Sequence, residues 1–200
     1  MRYQFLIDAY RTEIEKVLSV WAMFDDEDLG VRPHPSDPRG RSFLEHMVHQ
    51  SMSENLWFSN MLGITVTDAP LPTPETRLSF MAFYAENAGK RLAALEGKDE
   101  SWWEEIVDFF DAKRTRAWVM MRRIAHTAHH RGQQTALLRM LNHDLHSTYG
   151  PTADTGGLMQ NQAPTVYAYS DAGTLLKEES GGRNKRPLPG TGEKPATERP

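Results

Sequence analysis

Three of the chain's eight histidines fall within five consecutive positions, in the stretch "AHTAHHRGQQTALL". Neutral imidazole is a good ligand for Zn, Ni, Fe or Cu, and two imidazoles four residues apart on a helix can grip one divalent ion from a single face. Placed at about 100° per residue on a helix, His126 and His130 share a line with Val119, Gln133, Leu137 and Leu141 and are expected to point inward with that stripe. His129 falls to one side, toward Trp118 and Ala125. Two ligands do not make a site, so a third must come from another helix. The stretch "RSFLEHMVHQSMSENLWF" offers His46 and His49. His49 lines up with Met52 and Leu56 and His46 with Ser53 and Asn60, which favours His49 only slightly. A lone core histidine is more often satisfied by a hydrogen bond than by a metal, and the inward pair is what raises the metal reading above that default. The chain has no cysteine, so thiolate ligands, thiolate nucleophiles and disulfides are excluded within it.

Helices must position these groups. The first is expected over about Tyr3–Phe24, where Leu6, Ile7, Tyr10, Ile14, Val17, Leu18 and Trp21 recur at helical spacing. Three prolines and two glycines in "DDEDLGVRPHPSDPRGR" stop it, and Ser42 offers a cap for a second helix, Ser42–Leu62. A third is expected over Glu75–Leu95. The stretch "ESWWEEIVDFFDAK" is ambiguous between a short helix and irregular structure. Ala112–Leu141 contains no proline and a single glycine and reads as the longest helix. The fold class is therefore all-α, a four-helix bundle, whose interior suits a site built from facing side chains. Beyond Asn142 an irregular C-terminal extension is expected to run over the bundle as part of one domain, 1–179. The segment 180–200, rich in Pro, Gly and charge, reads as a disordered tail.

Formal net charge is −4 and the basic residues form no single stripe, so no nucleic acid partner is expected. No apolar run approaches the ~20 residues of a membrane span, and the first residues carry acids where a signal peptide would be apolar. No membrane partner and a cytoplasmic location are the expectations. A homodimer is compatible with the sequence.

The histidine stretches also carry a family resemblance. "HTAHHRGQQTALLRML" looks like the last-helix signature of the DinB-like (YfiT-like) metalloproteins. "SFLEHMVHQSMSENLWFSNMLG" is similar to their second-helix pattern, a histidine with an acid five residues on and an aromatic eight on. His49, Glu54 and Trp57 satisfy that spacing and His46 does not. "YGPTADTGG" resembles the stretch after the last helix in a subset of them. The resemblance implies a four-helix bundle with a three-histidine metal site, carried here by His49, His126 and His130. It implies no DNA binding. Its characterised members include bacillithiol and mycothiol S-transferases and a mycothiol-dependent isomerase.

Three imidazoles leave a divalent metal, Zn or Ni by preference, with at least one open position for a small-molecule substrate. A thiol bound there would ionise near neutral pH, and it would have to be a low-molecular-weight cosubstrate, since the chain supplies none. A metal-dependent hydrolase and a noncatalytic metal- or small-molecule-binding bundle are the alternatives. Around the site, Glu54 is a candidate to hydrogen-bond a ligand imidazole, Arg131 to bind an anionic group, and Gln133 to orient a ligand or substrate. Gly132 is expected to allow a close approach of a neighbouring element.

Overall fold

A computed structural model describes residues 2–193 and 195–197. The four long helices are α1 (Gln4–Met23), α2 (Phe43–Leu62), α3 (Arg77–Glu96) and α5 (Arg116–Met140); α4 (Glu100–Glu104), a hairpin of β1 (Ile106–Phe109) and β2 (Ala112–Thr115), and α6 (Ala172–Glu179) complete the order. The long helices form a ring in which α1 packs on α5 and α3, and α2 packs on α5 and α3. The fold is an all-α bundle, as the helical spacing predicts.

Local chemistry sets the helix ends. Ser42 accepts from Glu45 N while the Glu45 carboxylate takes up the Ser42 N–H, a reciprocal cap that starts α2. Gly63 ends α2 in the left-handed conformation, φ 67°, which costs glycine nothing. Thr115 caps α5 through Trp118 N at 3.2 Å. This corrects the expected start of the longest helix: residues 112–115 pair with β1, from Ile106↔Thr115 to Phe109↔Ala112. The ambiguous aromatic stretch divides into α4 and the first strand of this hairpin, turned by Phe110 at φ 53°.

The core fills the ring's centre with Ile7, Val17, Trp21, Phe58, Phe80, Met81, Val119 and Met120, all buried. Phe24 and Phe43 stack at 3.7 Å where α1 ends and α2 begins. Burial of such side chains stabilises by roughly 1.5–3 kcal/mol each before entropy is counted. One charged cluster also lies inside. Glu54 is fully buried between Arg91 at 3.0 Å and Arg123 at 3.4 Å, and it accepts from the Tyr10 and Tyr84 hydroxyls. It ties α1, α2, α3 and α5 together.

After α5 the chain wanders over the bundle as expected, then adds α6, which packs on α1 and α3. The first part of the segment 180–200, read from composition as a disordered tail, makes contacts with the bundle. Arg183 donates to the Ala22 and Phe24 carbonyls at 3.0 and 2.7 Å and pairs with Asp25 at 2.6 Å. Arg186 N reaches Ala168 O, and Gly190 N reaches Asp154 O. Arg183 thus satisfies carbonyls orphaned at the end of α1. Lys194 and residues 198–200 of that expectation lie outside the described residues. Gly132 faces open space, with no atom within 4 Å of an added Cβ, so it serves no close approach. No helix among the described residues is long and apolar enough to cross a membrane.

Candidate metal centre

His49 lies about a third of the way along α2, and His126 and His130 lie one turn apart on the adjacent α5, so the α2–α5 contact brings the three rings together. His130 Nε2 is 3.0 Å from His49 Nε2 and 3.1 Å from His126 Nε2. These three nitrogens form a group that could hold a metal ion. The inward line drawn from spacing needs adjustment: His130 is buried, while His49, His126 and Gln133 stay in contact with solvent. The group lies at the wall of the bundle, opening into a cleft of about 390 Å³ lined by Arg41, His49, Arg122, His126, His129 and His130.

The environment keeps the imidazoles neutral. Burial, reinforced by the neighbouring rings, pushes His130 down to about 3. Burial and the Arg123 guanidinium push His126 down to about 4. His49 is lowered by burial and by Arg41 and Arg123. Neutral rings are what a metal requires. His130 Nδ1 lies 3.0 Å from Gln133 Oε1. An amide oxygen only accepts, so Nδ1 carries the proton and Nε2 presents its lone pair. Hydrogen bonding alone would force both neighbouring Nε2–H groups onto that one lone pair. A central cation uses three lone pairs at once, so the donor set fits a divalent metal.

Supporting groups differ from those expected. Gln133 faces His130, its Oε1 3.0 Å from the ring's Nδ1. Glu54 touches no imidazole; it holds Arg123, whose guanidinium lies 5.5 Å over Trp57, and Trp57 stacks at 5.6 Å on His126. Its influence on the site passes through two further side chains. Arg131 points away from the cleft to α1, buried and paired with Glu13 at 2.9 Å, so it is not available to a substrate anion. His129 sits exposed on the rim with its Nε2 3.2 Å from Gln133 Nε2. His46 is buried, its ring centroid 5.7 Å from that of His130, outside the three-nitrogen group.

Spacing arguments missed Arg41, Arg122 and Arg123. Arg122 precedes His126 by one turn, a spacing that places the two on one face. Arg123 needed its partner Glu54 on another helix to be understood. A second group, Asp25, Asp28 and His143, also has ligand spacing, but Arg183 already lies on Asp25 at 2.6 Å and supplies its counter-charge.

Comparison with known proteins agrees with this architecture. The model of the DinB family matches residues 6–161. A search of curated proteins gives no match. Among solved structures, the chain is similar to a DinB-like protein from Bacillus cereus: TM-score 0.63, 20% identity, 72% of this chain and 95% of that chain covered. At that identity the likeness is one of fold. Because the family match spans most of the chain and takes in both histidine-bearing helices, this chain belongs to the DinB family.

Proposed function

We propose that the protein is a divalent-metal-dependent transferase, acting in the cytoplasm, that uses a low-molecular-weight thiol as cosubstrate. The observation that carries this reading is the convergence of three neutral imidazole nitrogens at 3.0 and 3.1 Å on the wall of an open cleft. His49, His126 and His130 would hold the ion, with Zn or Ni preferred for an all-nitrogen set. When bound, the ion would lower the pKa of a thiol and favour its thiolate near pH 7.

The chain's own residues supply the rest. Gln133 Oε1 accepts the His130 Nδ1 proton and fixes the ring that faces both partners. Trp57 holds the His126 plane from the α2 side. With no cysteine in the chain, no thiol ester or mixed disulfide forms on the protein, so the cosubstrate thiolate must attack the electrophile directly. No carboxylate lines the cleft among the described residues, which leaves no acidic side chain there to act as base for water and disfavours the hydrolase reading.

Metal-loaded protein should conjugate bacillithiol, mycothiol or glutathione to monochlorobimane, lose the activity with chelator and regain it with Zn or Ni. Ester or amide hydrolysis with no thiol transfer by the same metallated protein would replace this reading with the hydrolase. Turnover of neither kind would leave a binding protein.

A further inference from the structure

The rim of the cleft carries two cations that the bundle does not use. Most arginines of the chain are held by carboxylates, whether buried, as Arg91 and Arg123 are on Glu54, or exposed, as Arg11 is on Asp8 and Arg39 on Asp37. Arg41 and Arg122 are exposed, and their side chains form neither hydrogen bond nor ion pair among the described residues. They come from different elements, Arg41 from the residue before the α2 cap and Arg122 from α5 one turn ahead of His126. Both line the cleft that contains His49, His126 and His130. The same lining contains no acid to neutralise them, in a chain whose formal net charge is −4. Against that overall charge, a local concentration of uncompensated positive charge beside an open ligand position attracts anions. Guanidinium presents a planar fork of donors matched to a carboxylate, phosphate or sulfonate.

We infer that Arg41 and Arg122 select a cosubstrate bearing an anionic group, binding its carboxylate at the rim while its thiol faces the three imidazoles. The inference rests on the metal reading for the thiol's position, but the anion contact needs only the two guanidinium groups. Both side chains are exposed and form no hydrogen bond or ion pair among the described residues, so replacing them breaks no such contact. The role assigned to Arg131 by spacing thus passes to these two residues.

The test uses the cobalt-loaded protein, in which thiolate binding is read from the near-ultraviolet charge-transfer band. Mercaptosuccinate should bind roughly tenfold or more tightly than uncharged 2-mercaptoethanol, about 1.4 kcal/mol or more. The preference should shrink in 1 M salt because the rim is exposed to solvent. In Arg41→Gln/Arg122→Gln the preference should vanish, while cobalt stoichiometry and 2-mercaptoethanol affinity stay unchanged. Equal affinities in the wild-type protein, or a preference that survives the double substitution, would overturn the inference. A second arm works without metal: titration of the metal-free protein with succinate should shift the side-chain Nε–Hε resonances of Arg41 and Arg122, and ethylene glycol should not. Absence of cobalt binding with succinate shifts present would defeat the metal reading alone. Absence of those shifts would defeat the anion site whatever the metal does.

Discussion

Replacing Glu54 by Gln tests whether the buried charge cluster holds the bundle together. Glutamine preserves the volume and one carbonyl acceptor for Tyr10 or Tyr84, but its amide group meets the guanidinium donors of Arg91 and Arg123 at positions now 3.0 and 3.4 Å from carboxylate oxygens. Both cations are fully buried and would lose their only charge partner among the described residues. Breaking a buried pair by removing one partner costs about 3–5 kcal/mol, against a total of about 5–15 kcal/mol for a domain. At this chain length 1 kcal/mol moves Tm by about 2–4 °C, so the variant should melt about 6–20 °C lower at pH 7. Thermal unfolding of the metal-free protein by circular dichroism, with a urea titration alongside, measures this. Burial raises the Glu54 carboxyl, but Arg91 and Arg123 outweigh it and leave the group below its ordinary 4.5. A carboxyl lowered in the folded state contributes stability above its unfolded value and loses it as pH falls toward the folded one. The gap between variant and wild type should therefore narrow below about pH 4.5. A Tm within about 2 °C of wild type at pH 7, less than the smallest cost expected of a broken buried pair, would refute the reasoning.

Alanine at His49, His126 or His130 should each abolish stoichiometric metal in elemental analysis, while His129→Ala and His46→Ala retain it; full occupancy in His49→Ala would remove that residue from the site. With His126 at about 4 and His130 at about 3, protons should compete poorly for the site, and bound metal should persist to about pH 5 and be lost only below it. These histidines are depressed from 6.5, so their contribution to metal-free stability is present above pH 6.5 and declines as pH falls toward the folded values; metal release complete by pH 6 would contradict the first statement, and a metal-free stability difference between wild type and His130→Ala that does not change between pH 7 and pH 4 would contradict the second. Truncation after Glu179 should lower Tm by about 3–12 °C, because losing charged hydrogen bonds of the Arg183 type costs about 1.5–3 kcal/mol; an unchanged melting curve would mean that those contacts contribute nothing.

The bundle was legible because a period near 3.6 is written along each long helix. Leu6, Tyr10, Val17 and Trp21 mark α1 whatever they pack against, and Ser42 announces α2 through a cap that is entirely local. The beginning of α5 was not legible, since "DAKRT" contains no proline and no glycine, and the hairpin turns on a phenylalanine at positive φ that no turn preference favours. At the site, four-residue spacing identifies His126 and His130, whereas His49 was chosen over His46 by family spacing. The Glu54 cluster escaped because its members lie on different helices, and a wheel drawn for one helix shows only that a residue faces inward. Composition marks the tail as poor in apolar residues, but the contacts of its first part depend on one arginine meeting two free carbonyls, and composition does not record such a meeting.

Two of the three imidazoles belong to one helix and the third lies 81 residues away from His130 in sequence. In folding terms the site is half local and half remote. A nascent α5 already carries a bidentate grip, whereas the third nitrogen arrives only after the intervening α3, α4 and hairpin have been looped out and α2 has docked. Closing such a loop is an entropic cost that grows slowly with length, and an ion held by all three rings acts on the unfolded chain as a removable cross-link between α2 and α5. Binding energy at the centre would then also be docking energy for that helix pair, growing with the logarithm of the free ion concentration over its dissociation constant. The same geometry makes ion affinity a gauge of bundle closure: whatever loosens α2 from α5, even far from the imidazoles, registers as a weaker grip on the metal.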